Sequence, residues 1–193
     1  MLNGFAKHRC SGGLLLLYAI MLYLQADFFD ALKYDRATIT LTGYYRLITS
    51  QLVHINIKHF IANISALIIC YIFAVNTNQL KDFCWSFLFC LLATGLGIHC
   101  ILTDLSWYAG SSGFLHGVII VLLTRYLISH PGILSWFLLT LFVVKLASEF
   151  YYGSVSQDEL GFIVIYDAHL IGAFSGVLYL FISYLLLRCT KSP

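Results

Sequence analysis

Long apolar runs separated by short polar segments dominate the chain. Six runs of about 17–22 residues are the length that crosses the hydrocarbon core of a bilayer. They are Gly13–Phe29, His54–Val75, Asp82–Leu102, Ser112–Ser129, Gly132–Tyr152 and Tyr166–Leu187. Within lipid each span must satisfy its own backbone hydrogen bonds, which only a helix does for a single segment. The pattern therefore predicts an all-α membrane protein, a six-helix bundle forming a single domain over residues 1–193.

The polar segments between these runs predict loops and turns. They are a loop at Asp30–Tyr44, a tight turn at Asn76–Lys81, a loop at Thr103–Ser111, a break at His130-Pro131 and a loop at Gly153–Ile165 that carries Asp158 and Glu159. Basic residues precede the first apolar run, as they precede the apolar region of a signal peptide, but no small-x-small cleavage site follows the run. We therefore expect an uncleaved first helix.

Composition narrows the class of protein further. Hydrophobic residues make up 60% of the chain and charged residues 10%, and the net charge is +2. Soluble domains carry about a quarter charged residues, so a soluble globule, a disordered chain, collagen and a basic nucleic-acid-binding protein are all excluded. The six cysteines lie in apolar stretches or near the chain ends, with no C-x-x-C and no zinc spacing. We expect the lipid bilayer as surroundings, with no nucleic acid, no metal and no cofactor.

Loop charges predict the orientation. With the N-terminus inside, the inner side holds Lys7, Arg9, Lys81, Arg125, Arg188 and Lys191, and the outer side holds Lys33, Arg36, Arg46, Lys58 and Lys145. The excess of Lys and Arg in the inner loops grows when Lys58 and Lys145 are left out, because these two belong to spans and not to loops. The positive-inside rule then places both termini in the cytoplasm.

Ionisable side chains inside a span are costly, so each suggests a function. Here they gather at one depth. The second span opens with His54, Lys58, His59 and Asn63, the fourth with Ser112 and His116, and the sixth with Asp167 and His169. Even-numbered spans all begin on the outer side, so Ser112, three of the histidines and Asn63 are predicted to lie at one shallow depth on that side.

Helix phase brings some of these groups together. His59 shares a face with Asn63, and Ser112 shares one with His116, because residues four apart are neighbours on a helix. Gly113 and Gly117 form one G-x-x-x-G, and Gly172 and Gly176 form another. Small residues let membrane helices approach closely. That approach would bring His169 to Ser112.

Such a cluster suits nucleophilic catalysis. A serine hydroxyl needs a base to take its proton, and a neutral histidine can do so. The base would be His169, with His116 as the competitor one turn below the serine. Oxyanion donors would be His59, the Asn63 amide and the Ser112 backbone N–H.

Other residues in this region support more than one interpretation. Gly110 and Gly113 would permit unusual backbone and close approach beside the serine. Taken alone, Ser112 is an ordinary helix cap, and His54 is equally a structural or a functional residue. Lys145 and Glu149 can pair on the fifth span, either as a structural pair or as a contact for substrate. No third acid is expected, because Asp167 lies about 200° round the helix from His169.

Four motifs together resemble the rhomboid family of intramembrane serine proteases. They are Gly110-Ser111-Ser112-Gly113, Ala168-His169 with Gly172 and Gly176, the H-x4-H-x3-N of His54, His59 and Asn63, and Tyr45-Arg46 with Thr49, where Tyr replaces the family's Trp. The resemblance covers about 44–187. It implies a rhomboid-like six-helix bundle with Ser112 as nucleophile, His169 as base and an oxyanion role for His59 and Asn63. His116 stands where many members carry an aromatic residue, and is expected to pack beneath His169.

The run from Trp107 to Gly117 and the triplet Asp167-Ala168-His169 are similar to the rhombosortases, a bacterial branch of that family. The similarity implies an inner-membrane endopeptidase. Its substrates would be membrane-anchored proteins with a C-terminal transmembrane tail that begins at a Gly-Gly motif.

Three other functions compete with a serine protease. A transporter would need a polar path across the whole bilayer or inverted repeats, whereas the polar residues stop in the outer half. A metalloprotease would carry H-E-x-x-H, or a carboxylate beside a histidine pair on one face, and neither is seen. A noncatalytic rhomboid-like binding protein typically lacks the serine or the histidine, and this chain keeps both.

Overall fold

The computed structural model describes residues 4–39, 42–152 and 164–189, and these residues are mostly helical. The elements are α1 (Gly4–Leu32), β1 (Tyr34–Asp35), a 3₁₀ turn (Arg36–Thr38), α2 (Arg46–Thr49), α3 (Ile57–Asn76), α4 (Leu80–Ile101), β2 (Trp107–Tyr108), α5 (Ser112–Ser129), α6 (Ile133–Tyr152) and α7 (Tyr166–Cys189). Within these ranges, five helices, α3 to α7, are long and apolar enough to cross a membrane.

The observed helix ends differ from the predicted ones where local caps decide them. The second span was predicted from His54, but α3 begins at Ile57 because the Asn56 side chain accepts the His59 N–H at 2.8 Å. An N-cap of this kind fixes where a helix starts. His54 therefore lies before the helix. The predicted span Ser112–Ser129 and α5 have the same bounds.

Two other predicted segments need correction or lie outside the description. The first span was predicted as Gly13–Phe29, whereas α1 runs from Gly4 to Leu32 with a non-helical backbone at Phe28. Because α1 is not among the five candidate spans of the described residues, the count of six spans stays a prediction. Most of the loop predicted at Gly153–Ile165, with Asp158 and Glu159, lies outside the described residues.

The predicted polar loop at Asp30–Tyr44 contains ordered structure. Strand β1 pairs antiparallel with β2, with Tyr34 opposite Tyr108. The Arg36 guanidinium donates to the carbonyls of Ile98, His99, Leu102 and Leu105. The last carbonyls of a helix have no intrahelical partner, so Arg36 satisfies the end of α4 and holds the first loop against the segment that leads to Ser112.

The Tyr45-Arg46 and Thr49 motif anchors α2 to the end of α1. The Tyr45 hydroxyl donates to the Ala31 carbonyl at 3.0 Å, and the Thr49 hydroxyl donates to the Leu32 carbonyl at 2.7 Å. Arg46 donates to the carbonyls of Asp30 and Lys33. The motif is thus a connection between elements and supplies no group to the serine.

Helices α5 and α7 meet backbone to backbone along the two glycine pairs. A Cβ on Gly172 would lie 2.5 Å from the Gly113 carbonyl carbon, and a Cβ on Gly176 would lie 2.9 Å from the Gly117 Cα. Real Cβ atoms do not approach this closely, so each position requires glycine. The first turns of α5 and α7 therefore lie side by side, which sets the distance between Ser112 and His169.

Helix α6 is the most exposed of the candidate spans. Only 11% of its most apolar 18-residue stretch is buried within the bundle, and Ile133 at its start is 90% exposed. It joins the bundle through Leu146, which packs with Ile120 of α5 and Ala173 of α7. This contact lies in the C-terminal half of α6, beside the two helices that carry Ser112 and His169.

Candidate active site

The Ser112 hydroxyl lies against the His169 imidazole. Ser112 is the first residue of α5 and His169 lies in the first turn of α7, and the distance between Oγ and Nε2 is 2.9 Å. His169 is buried, with 5% of its surface exposed. A base must come within about 2.6–3.2 Å of the proton that it takes. The pair meets that condition across the glycine contact.

The hydroxyl of the neighbouring Ser111 contacts other partners and not His169. Its hydroxyl donates to the Gln51 carbonyl at 2.6 Å and lies 2.8 Å from the Tyr18 hydroxyl, and the residue is fully buried. His54 Nε2 lies 3.4 Å from the same oxygen. Burial, with the nearby His59, lowers the pKa of His54 to about 3, so its ring is neutral. His54 therefore contacts the segment that leads into α5 through Ser111.

Gly110 has a backbone that only glycine adopts readily, with φ of +129°. Its N–H donates to the Ser50 carbonyl at 2.8 Å. A Cβ here would lie 2.8 Å from Nε2 of His59, so the imidazole packs directly on this glycine. The unusual backbone thus brings the His59 ring to the chain just before Ser112.

Asn63 lies one turn after His59 on the same face of α3, as predicted. Both are buried, and the Asn63 amide nitrogen donates to the His59 carbonyl at 3.0 Å. An amide nitrogen carries two hydrogens, so one remains for another acceptor.

His116 stacks on His169. The two rings are nearly parallel, and His116 Nδ1 lies 2.6 Å from the Ser112 carbonyl. A carbonyl only accepts, so Nδ1 carries the proton and donates. Nε2 of His116 is then an acceptor, and it receives a hydrogen bond from the Lys145 ammonium.

Glu149 contacts the other side of His169. Its Oε2 lies 3.1 Å from His169 Nδ1 and 2.8 Å from Lys145 Nζ. Sequence reasoning missed this contact, because it considered only Asp167 as a third acid. Asp167 is exposed. The signal that could have revealed Glu149 was its spacing of four residues from Lys145, near the C-terminal end of an otherwise apolar span.

The same groups could hold a metal ion. His116, Glu149 and His169 offer three ligand atoms within 4.8 Å of one another. The sequence shows no carboxylate beside a histidine pair on one helix face, and the structure brings one to two histidines only because α5, α6 and α7 each supply a ligand. The Lys145 ammonium already contacts both Glu149 and His116.

Tyr108 is a second residue that sequence reasoning missed. An aromatic residue just before a span is typical of a membrane interface, but Tyr108 is 3% exposed. Its hydroxyl accepts the Gly113 N–H at 3.2 Å. Burial raises the pKa of Tyr108 to about 12, against hydrogen bonds with Gly113 and Ser112 that lower it. The phenol is therefore neutral and lies at the start of α5, beside the serine.

Comparison with known families gives a match over most of the chain. The model of the Rhomboid domain matches residues 41–185. The chain belongs to the rhomboid family. This range includes His54, His59, Asn63, Ser112 and His169. Rhomboid proteins are serine intramembrane proteases, so the match supports an integral membrane enzyme that cleaves membrane proteins. No curated protein and no solved structure matches this rhomboid.

Proposed function

We propose that this rhomboid is a serine endopeptidase in which Ser112 is the nucleophile and His169 the base. The observation that carries the proposal is the 2.9 Å contact between Ser112 Oγ and His169 Nε2. The two residues come from different helices that glycines hold in contact. A structural N-cap would instead direct the serine oxygen to its own helix, and Ser112 is not the cap of α5, since Ser111 holds that position.

The proposed reaction has two steps. Ser112 Oγ bonds to the scissile carbonyl carbon while its proton passes to His169 Nε2, and that proton then goes to the leaving amine as the C–N bond breaks. In the second step, water gives a proton to Nε2 and its oxygen bonds to the acyl carbon. The bond to Ser112 breaks, and the serine recovers the proton.

The oxyanion of each tetrahedral intermediate needs donors beside Ser112. We assign them to the Ser112 backbone N–H, the His59 ring and the second Asn63 N–H. The contact of His59 with Gly110 supports this assignment, because it places the ring beside the segment that ends at Ser112. Donors fixed before reaction stabilise developing charge without reorganisation.

For the substrate, we propose a membrane-anchored protein with a C-terminal Gly-Gly motif, a transmembrane helix and a basic end. The support is the resemblance of the Trp107–Gly117 run and of Asp167-Ala168-His169 to rhombosortases. We place the enzyme in a bacterial inner membrane as one domain over 1–193, with a core at about 44–187 and six spans. Both termini are cytoplasmic and the site faces outward.

Labelling with a fluorophosphonate probe in membranes tests the catalytic pair. Wild-type protein should react, and Ser112→Ala and His169→Ala should not. Ser111→Ala is the matched control, because it removes the adjacent hydroxyl and should keep the label. Labelling that depends on Ser111 and not on Ser112 would contradict the proposal.

The substrate proposal has its own test. A reporter protein with a Gly-Gly tail is co-expressed with the wild type or with Ser112→Ala. A second reporter, in which the two glycines are replaced by valine, is the control. Cleavage of the first reporter alone, by the wild type alone, is expected. Equal cleavage of both would refute Gly-Gly recognition while leaving the protease itself intact.

A further inference from the structure

We infer that Glu149 is a positioning residue for His169, so that Ser112, His169 and Glu149 act as a triad. The inference rests on the proposed function, and it goes against the expectation that the serine and histidine need no third acid. It starts from the 3.1 Å contact between Glu149 Oε2 and His169 Nδ1.

The contact fixes which nitrogen of His169 carries its proton. A carboxylate held against an ammonium is ionised and only accepts hydrogen bonds. Nδ1 must therefore carry the proton and donate it to Glu149, which leaves Nε2 with a lone pair toward Ser112 Oγ. This is the tautomer that a general base requires. In serine proteases the acid partner of the histidine holds that tautomer and stabilises the imidazolium that forms.

The hydrogen bonds around Glu149 form a closed ring in which each histidine nitrogen has one fixed role, as donor or as acceptor. Ser112 Oγ–H donates to His169 Nε2, and His169 Nδ1–H donates to Glu149. Lys145 donates to Glu149 and to His116 Nε2. His116 Nδ1–H donates to the Ser112 carbonyl and closes the ring. Reversing the tautomer of His169 would set its Nδ1 lone pair against the carboxylate, so the ring as a whole selects one state.

The ion pair with Lys145 holds the Glu149 carboxylate in place. The Glu149 side chain is 16% exposed and the Lys145 side chain 41% exposed. The Lys145 ammonium contacts two acceptors, Glu149 Oε2 and His116 Nε2, which hold it between α6 and α5. A divalent cation at the three potential ligands would have to displace this ammonium. The geometry thus favours an organic ion pair over a metal as the partner of His169.

The kinetic test compares Glu149→Gln with Asp167→Asn, an exposed carboxylate two residues from the same histidine. Glu149→Gln keeps the shape of the side chain but lets it donate to Nδ1 and favour the wrong tautomer. We expect kcat to fall by about 10²–10⁴-fold with little change in KM, toward the loss seen when a triad acid becomes an amide. Asp167→Asn should leave both constants near wild type.

Three results would overturn the inference. A rise in KM alone would make Glu149 a substrate contact. A loss of kcat no larger than the loss of folded protein, measured by thermal unfolding in detergent, would make it structural. Inactivation of the wild type by a chelator, reversed by Zn²⁺, would make it a metal ligand.

A spectroscopic readout separates this inference from the proposed function. In ¹⁵N-histidine-labelled protein in bilayers, His169, assigned by comparison with His169→Gln, should show Nδ1 protonated and Nε2 bare. Glu149→Gln should lose this single state, and an unchanged spectrum would overturn the inference. If Ser112→Ala kept full activity, the protease proposal would fail, while this measurement would still report on the contact between Glu149 and His169.

Discussion

The imidazole rings of His116 and His169 stack with their centroids 4.0 Å apart and their planes 15° from parallel. His116 also donates to the backbone of Ser112. One histidine therefore packs against the proposed base and fixes the first turn of the helix that carries the nucleophile. Its own ring nitrogens are both occupied, one by that carbonyl and the other by Lys145, so it is not available to take the Ser112 proton.

This arrangement predicts different responses to the same change at the two histidines. Phenylalanine at 116 keeps the stacked ring. It loses one neutral hydrogen bond, worth about 0.5–1.5 kcal/mol, and one from the Lys145 ammonium, worth about 1.5–3 kcal/mol. The base and nucleophile remain, so His116→Phe should retain measurable peptidase activity. His169→Phe removes the base and should fall to the level of Ser112→Ala. Initial rates of reporter cleavage measure both. An inactive His116→Phe with an active His169→Phe would show that the base is on α5.

The glycine contact predicts a position-specific loss of stability. Gly172→Ala puts a methyl group into the Gly113 backbone, and α5 and α7 must separate. Overpacking of this kind costs about 1–3 kcal/mol, and Ser112 labelling should fall as its distance from His169 grows. Gly132→Ala is the control, because nothing lies within 4 Å of its Cβ. Equal thermal stability and labelling in the two variants would contradict the packing argument.

The buried Tyr108 hydroxyl predicts a role at the start of α5. Tyr108→Phe removes the acceptor of the Gly113 N–H, and a buried donor without a partner costs about 1–3 kcal/mol. Thermal unfolding in detergent should show this loss, together with slower fluorophosphonate labelling of Ser112. Tyr23→Phe makes the same change at a residue that is 78% exposed and should alter neither. A wild-type response from Tyr108→Phe would contradict a role for this hydroxyl at the start of α5.

The sequence could predict the parts of this fold that depend on local signals. Ser112–Ser129 was predicted to the residue, because a Gly-Ser segment precedes it and His130-Pro131 ends it. The pairing of His59 with Asn63 followed from helix phase alone. The start of α3 was misplaced because His54 continues the apolar run, while the cap at Asn56 depends on a hydrogen bond that hydropathy does not report.

The two residues that the sequence did not reveal, Glu149 and Tyr108, are placed by contacts between separate helices and strands. Helix phase shows which residues share a face of one helix. Which neighbouring helices that face contacts depends on packing, and for α6 on the contact of Leu146 with Ile120 and Ala173. Glu149 could therefore be placed at the right depth and not at His169. Tyr108 was missed for a related reason, since its burial follows from strand pairing with the distant Tyr34.

The last prediction concerns the oxyanion donors. His59→Ala and Asn63→Ala remove groups that would act only on charge developing in the transition state, so kcat should fall more than substrate affinity changes. Loss of one such donor typically lowers kcat by about 10²–10³-fold, or about 2.7–4 kcal/mol. Kinetics with a reporter over a range of concentrations separate kcat from KM. Because both donors would act on the same oxyanion, the double variant should lose less than the product of the two single losses. If either variant raised KM and kept kcat, that residue would belong to packing or substrate binding, and the assignment of oxyanion donors on α3 would be wrong.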